Sequence, residues 1–277
     1  MAIVIEIQSF TFDGKYIYVC GGFLNKLDQA LNIVAQNNSL SLYSLTFDGT
    51  YIYGLVYPND TDSILQKIDT ASLLPIATLD LNTSASAEQL FFDGTYIYTG
   101  NGTTTYQIDP VSMSIVSQTA LDTGYSYTFD GTYIYASTQT SPITLLKINP
   151  KNMTVVSSLV GTGVCLIFDG TYIYGLSEIG IGETVLNKIN PATMEVVSSL
   201  PNIFIPTVPL QVLATDGIYV YGFYAVDGDT FNIHIATIDP ATMTVKALSV
   251  NAVNNSTNKY VLITNANPKY SVSWALQ

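Results

Sequence analysis

Few side chains in this chain could do chemistry, and their spacing points to loops rather than to one constellation. Asp60 and Asp62 form an Asp-x-Asp pair, and so do Asp227 and Asp229. Carboxylates two residues apart in a loop can supply oxygen ligands to Ca²⁺. Neither pair continues into the full Ca²⁺-loop pattern, so Ca²⁺ is the one ion the sequence leaves open, and no resident metal or cofactor is expected. His234 is the sole histidine and stands in Phe-Asn-Ile-His-Ile, whose alternation is that of a strand. A Ser/His/Asp triad would have to use it, and the Gly-x-Ser-x-Gly elbow is missing. Paired-carboxylate hydrolysis would need Glu88, Glu178, Glu183, Asp227 and Asp229 to converge. No phosphate-binding glycine-rich loop is present. All nine basic residues are lysine, which removes any bidentate guanidinium clamp. The residues argue for binding over catalysis. A lactonase-like or other hydrolase using loop carboxylates is the alternative, and an intracellular interaction scaffold is a third.

Composition narrows the partners. The 277 residues carry a formal charge of -12, with 48% hydrophobic and 11% charged residues. That much apolar material forms a sizeable core and excludes a disordered chain. The acidic balance argues against nucleic acid and anionic membrane surfaces. No apolar run approaches the ~20 residues of a membrane helix, and Pro206 and Pro209 interrupt the stretch from Ile203 to Ala214, so no membrane insertion is expected. The opening Met-Ala-Ile-Val-Ile-Glu-Ile lacks the regions of a secretory signal. Cys20 and Cys165 fall at different places in the repeat and are expected to be free thiols.

The elements that must position these residues come from a repeat. Phe-Asp-Gly-Thr-Tyr-Ile-Tyr recurs nearly verbatim, with Asp-Gly pairs beginning at Asp13, Asp48, Asp93, Asp130, Asp169 and Asp216. A second block, clearest as Lys-Ile-Asn-Pro-x-x-Met-x-Val-Val-Ser-Ser-Leu, begins at Lys147 and Lys188, with relaxed versions at Lys26, Lys67, Gln107 and Thr237. Each unit parses into four strands, a to d. Strand a ends at the Phe, Asp-Gly turns the chain, Tyr-Ile-Tyr is strand b, Leu-x-Lys-Ile is strand c, Asn-Pro or Asp-Pro turns again, and Val-Val-Ser-Ser-Leu is strand d. Four short strands every ~40 residues mark a β-propeller blade. The expectation is an all-β, single-domain, seven-bladed propeller. Its blades cover roughly 8–40, 41–85, 86–122, 123–162, 163–206 and 207–253, with a seventh from 257–277 plus 1–7, whose N-terminal strand closes the ring. Six blades is the alternative.

The combination Asp-Gly-Thr-Tyr-Ile-Tyr-Gly followed by Lys-Ile-Asn-Pro-Ala-Thr-Met-Glu-Val-Val-Ser-Ser-Leu resembles the surface-layer and lactonase-type (YVTN-like) propeller repeat, over about residues 10–250. Gly175 and Ala136 stand where that pattern has Asn. The resemblance implies a propeller fold. The lactonase activity found in such propellers would want charged residues converging at the channel mouth.

The repeat accounts for most polar residues. Tyrosines three and five positions after each repeat Asp are expected to form a ladder between blades, with hydroxyls reaching backbone or water. The Asp residues are expected to cap their turns. Met113, Met153, Met194 and Met243 read as packing, and Lys26, Lys67, Lys147 and Lys188 as solvent-side positions. Length variation falls almost wholly in the b–c and d–a loops, which share one end of the blades and so form the expected binding face. Candidate contacts there are Tyr57, Asp60, Asp62, Glu178, Glu183, Tyr224, Asp227 and Asp229. Asn37, Asn59, Asn82, Asn101, Asn152, Asn254 and Asn255 begin glycosylation sequons. The resulting expectation is a non-enzymatic binding or structural module on a cell envelope or virion surface, extracellular, contacting protein or glycan. The missing signal peptide favours the cytoplasmic alternative.

Overall fold

The computed structural model describes residues 9–252 apart from 22, 29–31, 59–61, 82–87, 181–182, 202–211, 216 and 227–228. The expected seventh blade lies outside these residues. Every element among them is a strand, and the strands form four-stranded antiparallel sheets paired in chain order. The chain divides into two compact units, whose described parts run over 9–124 and 125–252.

The first unit holds three sheets. They are β1 (Ser9–Phe12), β2 (Ile17–Gly21), β3 (Phe23–Leu27) and β4 (Ile33–Asn37); β5 (Leu45–Phe47), β6 (Tyr51–Val56), β7 (Ile64–Asp69) and β8 (Pro75–Asp80); and β9 (Phe91–Phe92), β10 (Ile97–Gly100), β11 (Thr105–Asp109) and β12 (Ser114–Thr119). The second unit repeats the plan. Its sheets are β13 (Tyr127–Phe129), β14 (Ile134–Ser137), β15 (Thr144–Asn149) and β16 (Thr154–Val160); β17 (Leu166–Phe168), β18 (Ile173–Gly180), β19 (Glu183–Asn190) and β20 (Glu195–Pro201); and β21 (Val212–Thr215), β22 (Val220–Val226), β23 (Asp229–Asp239) and β24 (Thr244–Ala252).

Within each unit the first strands of successive sheets lie side by side, and the core fills the space between sheets. Alternation along strand b sends Tyr53 and Leu55 forward against Ile97 and Ile108 of the next sheet, while Ile52 faces back to Tyr18 and Cys20. Both faces of strand b are therefore buried, so it reads as continuously apolar rather than alternating.

Two turns define one end of every sheet. The a–b turn needs Gly at positive φ: Gly14, Gly49, Gly94, Gly131, Gly170 and Gly217 lie at +85° to +99°. A Cβ would meet nothing within 4 Å at Gly14, Gly49, Gly94, Gly170 or Gly217, so the backbone conformation alone demands glycine there. The c–d turn closes differently. The amides of Leu73, Met153 and Met194 donate to the carbonyls four residues earlier, Asp69, Asn149 and Asn190. The closing residue adopts a left-handed conformation, φ 50–57°, at Leu73, Met113, Met153, Met194 and Met243. That conformation is costly for a side-chain-bearing residue, and burial of Leu73, Met153, Met194 and Met243 offsets it. Early in strand d, three residues after the closing residue where that residue is described, the register slips in every sheet, leaving Val34, Ile76, Val116, Val156, Val197 and Lys246 as bulge residues. A bulge twists the outermost strand and discourages edge-to-edge pairing.

Candidate functional site

The repeated polar residues converge on the end bearing these two turns. In five sheets the repeat Asp Oδ1 accepts from the two amides that follow the glycine: Asp13 from Lys15 and Tyr16, Asp48 from Thr50 and Tyr51, and likewise Asp93, Asp130 and Asp169. Oδ2 accepts from the hydroxyl of the second repeat tyrosine, Tyr18, Tyr53, Tyr98, Tyr135 or Tyr174, at 2.7–2.9 Å. The tyrosine ladder is thus present, and its hydroxyls go to carboxylates, with those of Tyr53 and Tyr135 also lying 3.0 and 3.2 Å from the backbone carbonyls of Pro110 and Pro191. Burial first, and then the adjacent Asp, raises the pKa of each of these phenols well above the ordinary value.

The repeat lysines do not face solvent as expected. Lys26, Lys67, Lys147 and Lys188 donate to the carbonyls of Thr70, Pro110, Pro191 and Pro240 at 2.6–2.8 Å. Each acceptor sits in the c–d turn of the following sheet. Each ammonium also lies 4.1–4.3 Å from the centroid of the first repeat tyrosine, Tyr16, Tyr51, Tyr133 or Tyr172. The physical reason is geometric. A long side chain two residues before the turn reaches the neighbouring turn, whose last carbonyls have no strand partner.

A second clasp lies near strand a. The hydroxyls of Ser9, Ser44 and Ser126 accept from the amides of Leu45, Leu90 and Leu166 in the next sheet, at 2.9–3.0 Å. Cys165 holds the equivalent position, four before the repeat Asp, and its sulfur takes a hydrogen bond from the Leu213 amide. In the third sheet both clasp positions are glutamine. Gln89 replaces the serine and Gln107 the lysine, and Gln107 Nε2 donates to its own sheet's Tyr98 hydroxyl at 2.9 Å. Both cysteines are free and buried, and burial pushes each thiol up to about 12. The buried hydroxyls of Ser177 and Thr162, with Asn187 and Ser199, form a mutually satisfied network, which leaves Ser177 poorly suited as a nucleophile.

The opposite, loop-bearing end is built differently. In the first unit Leu42 packs over Gly54, where a Cβ would lie 2.8 Å from its methyl carbon. The Tyr43 amide donates to Leu55 O and the Leu55 amide to Ser44 O. This pins Tyr43 beside Tyr57. The two rings stack with centroids 4.2 Å apart at 26°, and Tyr43 stays 39% exposed while Tyr57 is half-buried. Glu88, tied by its amide to Gly100 O, is close enough to act on the Tyr57 phenol. Burial first, and then the Glu88 charge, keeps that phenol neutral far into the alkaline range.

No protein-family model matches the chain, and comparison with curated proteins finds no relative. Solved structures do match. Hydrazine synthase of Kuenenia stuttgartiensis superposes with a TM-score of 0.64 at 18% identity, covering 83% of this chain and 75% of that one. Hsv2 of Kluyveromyces lactis gives 0.58 at 11%, covering 81% and 71%. The WD40 domain of Neurospora crassa Pan2 gives 0.58 at 12%, covering 77% and 67%. The fold is that of a β-propeller. At such identities the likeness speaks to fold alone.

The residues singled out in the sequence distribute over both units of the propeller. Tyr57 and the half-buried Asp62 are in the first unit. Glu178, Glu183, Tyr224 and Asp229 are in the second. They lie on strands rather than in loops, because β18–β19 and β22–β23 continue as long hairpins past the expected loop starts. Glu178 is paired with Thr184, Glu183 with Gly180, Tyr224 with His234 and Asp229 with Val226. Asp60 and Asp227 lie outside the described residues, as do Asn59, Asn82, Asn254 and Asn255. Among the described residues no group of three His, Cys, Asp or Glu side chains could hold a metal ion. Sequence reasoning missed Tyr43, whose only signal was an aromatic residue five positions before a repeat Asp.

The three described sequons differ in availability. Asn37 Nδ2 donates to Leu73 O at 2.7 Å in the next sheet. Asn101 is buried and its Oδ1 accepts from Thr103 and Thr104. Asn152 stands exposed on the c–d turn of the fourth sheet, with Oδ1 accepting from the Thr154 hydroxyl at 2.8 Å.

Proposed function

We propose that this chain is a non-enzymatic β-propeller serving as a protein-interaction module, with its loop-bearing end as the contact surface. One observation carries the reading. The repeat Asp, Tyr and Lys side chains are consumed in holding turns and joining sheets at one end, whereas the other end combines variable sequence with a stacked aromatic pair whose Tyr43 ring is exposed. Variable loops gathered on one face of a repeat array commonly form its binding face. A WD40 domain among the similar structures is in keeping with an interaction scaffold.

The finer architecture belongs to the same proposal. Seven blades, with 257–277 and 1–7 completing the last, would bury the outer faces of the first and sixth sheets. The YVTN-like repeat is the sequence family that this pattern favours. Placement on a cell envelope or virion surface is supported by the low charge density and the exposed Asn152 sequon. No cofactor or metal enters the reading.

The test exchanges the loop residues 58–62 and 82–88 for Gly/Ser stretches of equal length, leaving the buried Ser63 and Leu81 in place, and measures capture of binding proteins from an extract of the native source. The reading predicts that capture is lost while the thermal midpoint holds. Capture unchanged by the exchange, or an ester- or lactone-cleaving activity that the exchange removes, would overturn it.

A further inference from the structure

The tyrosines of the first unit do not share one environment. The second repeat tyrosines, Tyr18, Tyr53 and Tyr98, are fully buried, with their hydroxyls held by carboxylates. The first repeat tyrosines Tyr16 and Tyr51 lie under a lysine ammonium, 4.2 and 4.3 Å from the ring centroid. A positive charge over the ring opposes removal of an electron from it. Tyr43 and Tyr57 belong to neither kind. Tyr43 is exposed, and its ring lies face to face with that of Tyr57, 4.2 Å between centroids and 26° between planes. The Tyr43 amide donates to Leu55 O at 3.0 Å, and the Leu55 amide donates to Ser44 O at 3.1 Å. Backbone pairing therefore holds the two rings together, and the stack does not depend on ring attraction alone.

We propose that Tyr43 and Tyr57 are a site of oxidative cross-linking, joined by a carbon–carbon bond between their rings when the chain meets a one-electron oxidant of the peroxidase class. The inference is independent of the reading of the loop end as a contact surface. The exposed Tyr43 gives an electron and its phenolic proton to the oxidant. An electron and a proton then pass to it from the stacked Tyr57, and a second oxidation of Tyr43 leaves a radical on each ring. The unpaired electrons occupy the π systems, in part on the carbons next to the oxygen-bearing carbon. Stacked faces bring those carbons together, so coupling is an intramolecular step between pre-positioned partners. One such carbon of each ring forms the new bond, and the two ring hydrogens move to the oxygens, restoring both phenols. The pair loses two electrons and two protons in all, which hydrogen peroxide takes up as it becomes two waters. The bond closes the stretch from 43 to 57 into a loop and stabilises the fold by constraining the unfolded chain.

The experiment treats the full chain, in dilute solution, with a peroxidase and hydrogen peroxide. It reads dityrosine fluorescence, intact mass and the linked peptides after proteolysis, in wild type, Tyr43→Phe, Tyr57→Phe and Tyr125→Phe. Tyr125 is the control. It is exposed and stands five residues before Asp130, as Tyr43 stands before Asp48, and no described ring stacks on it. Phenylalanine keeps the ring and the stack but forms no phenoxyl radical. Wild type is expected to lose two hydrogens, to keep single-chain size on a denaturing gel, and to yield a linked peptide pair carrying 43 and 57. That product should vanish in Tyr43→Phe and Tyr57→Phe and remain in Tyr125→Phe. Unfolding midpoints taken before oxidation verify that each variant is folded, and Tyr43→Phe decides alone if Tyr57→Phe does not fold. A link that persists in Tyr43→Phe, links carried by other tyrosines or joining separate chains in its place, or no cross-link at all would overturn the proposal.

Discussion

Lys67 Nζ donates to the carbonyl of Pro110 at 2.8 Å, reaching from the third strand of one sheet to the outer turn of the next. The same carbonyl lies 3.0 Å from the Tyr53 hydroxyl, whose single proton is directed to Asp48 at 2.7 Å. Three groups from one sheet thus converge around a single turn of its neighbour. Lys67→Met keeps the aliphatic stem and removes the charge-assisted bond and the contact over Tyr51. It should destabilise the protein by about 1–3 kcal/mol, read from chemical unfolding. A loss below about 0.3 kcal/mol would show the clasp to be ornamental.

The serine clasp makes a sharper prediction. Ser44→Ala leaves the buried Leu90 amide without its acceptor and should cost about 1–3 kcal/mol. Ser44→Cys should cost less, because Cys165 already fills the equivalent position toward Leu213. The reverse order in unfolding free energy would refute the equivalence.

Stability should form a plateau in pH. Hydrogen bonds from the Ser72 hydroxyl and amide hold Asp69 below the usual carboxylate range. The Val111 amide does so for Asp109, and the Ala241 amide for Asp239. A lowered folded-state value means that their contribution is complete above about pH 4 and is lost as pH falls through that value. Cys20 and Cys165, raised by burial to about 12, act with the opposite sign. Their contribution is complete below about pH 8.5 and is lost as pH rises. The buried tyrosines follow at higher pH. Thermal midpoints measured from pH 3 to 11 should therefore be level from about pH 5 to 8.5. A transition centred between pH 5 and 8 would contradict the account.

Of the three described sequons, Asn152 should be the one that carries sugar when the chain passes through a glycosylating secretory route. Asn37 spends its amide nitrogen on Leu73 O, and Asn101 is buried. Glycopeptide mapping reads the outcome directly. A folded, stable protein glycosylated at Asn37 or Asn101 would mean those contacts are dispensable.

The four-strand repeat was legible because Asp-Gly, Tyr-Ile-Tyr and Asn-Pro each have a local cause: a positive-φ glycine, a two-faced buried strand, and a turn with a preset second position. The Asp caps were legible for the same reason. The lysine clasp was not, because its acceptor lies 43–52 residues away in the next sheet, and a lysine on a strand looks alike whether it meets water or a carbonyl. Tyr43 was missed because its position depends on Leu42 filling the space over Gly54, a packing event without periodicity. Glu178 and Glu183 were read as loop residues since two glycines separate them, yet hairpin pairing runs through to Gly180.

Hydrogen–deuterium exchange on the propeller, with and without a partner recovered from the native-source extract, tests the division between its two ends most directly. The account predicts added protection confined to the loop end, at 42–44, 55–58 and 88–90, with the Asp-Gly and Asn-Pro turns unchanged. Protection centred on the turns at 13–16, 48–51 or 149–153 would place the contact on the opposite end and contradict it.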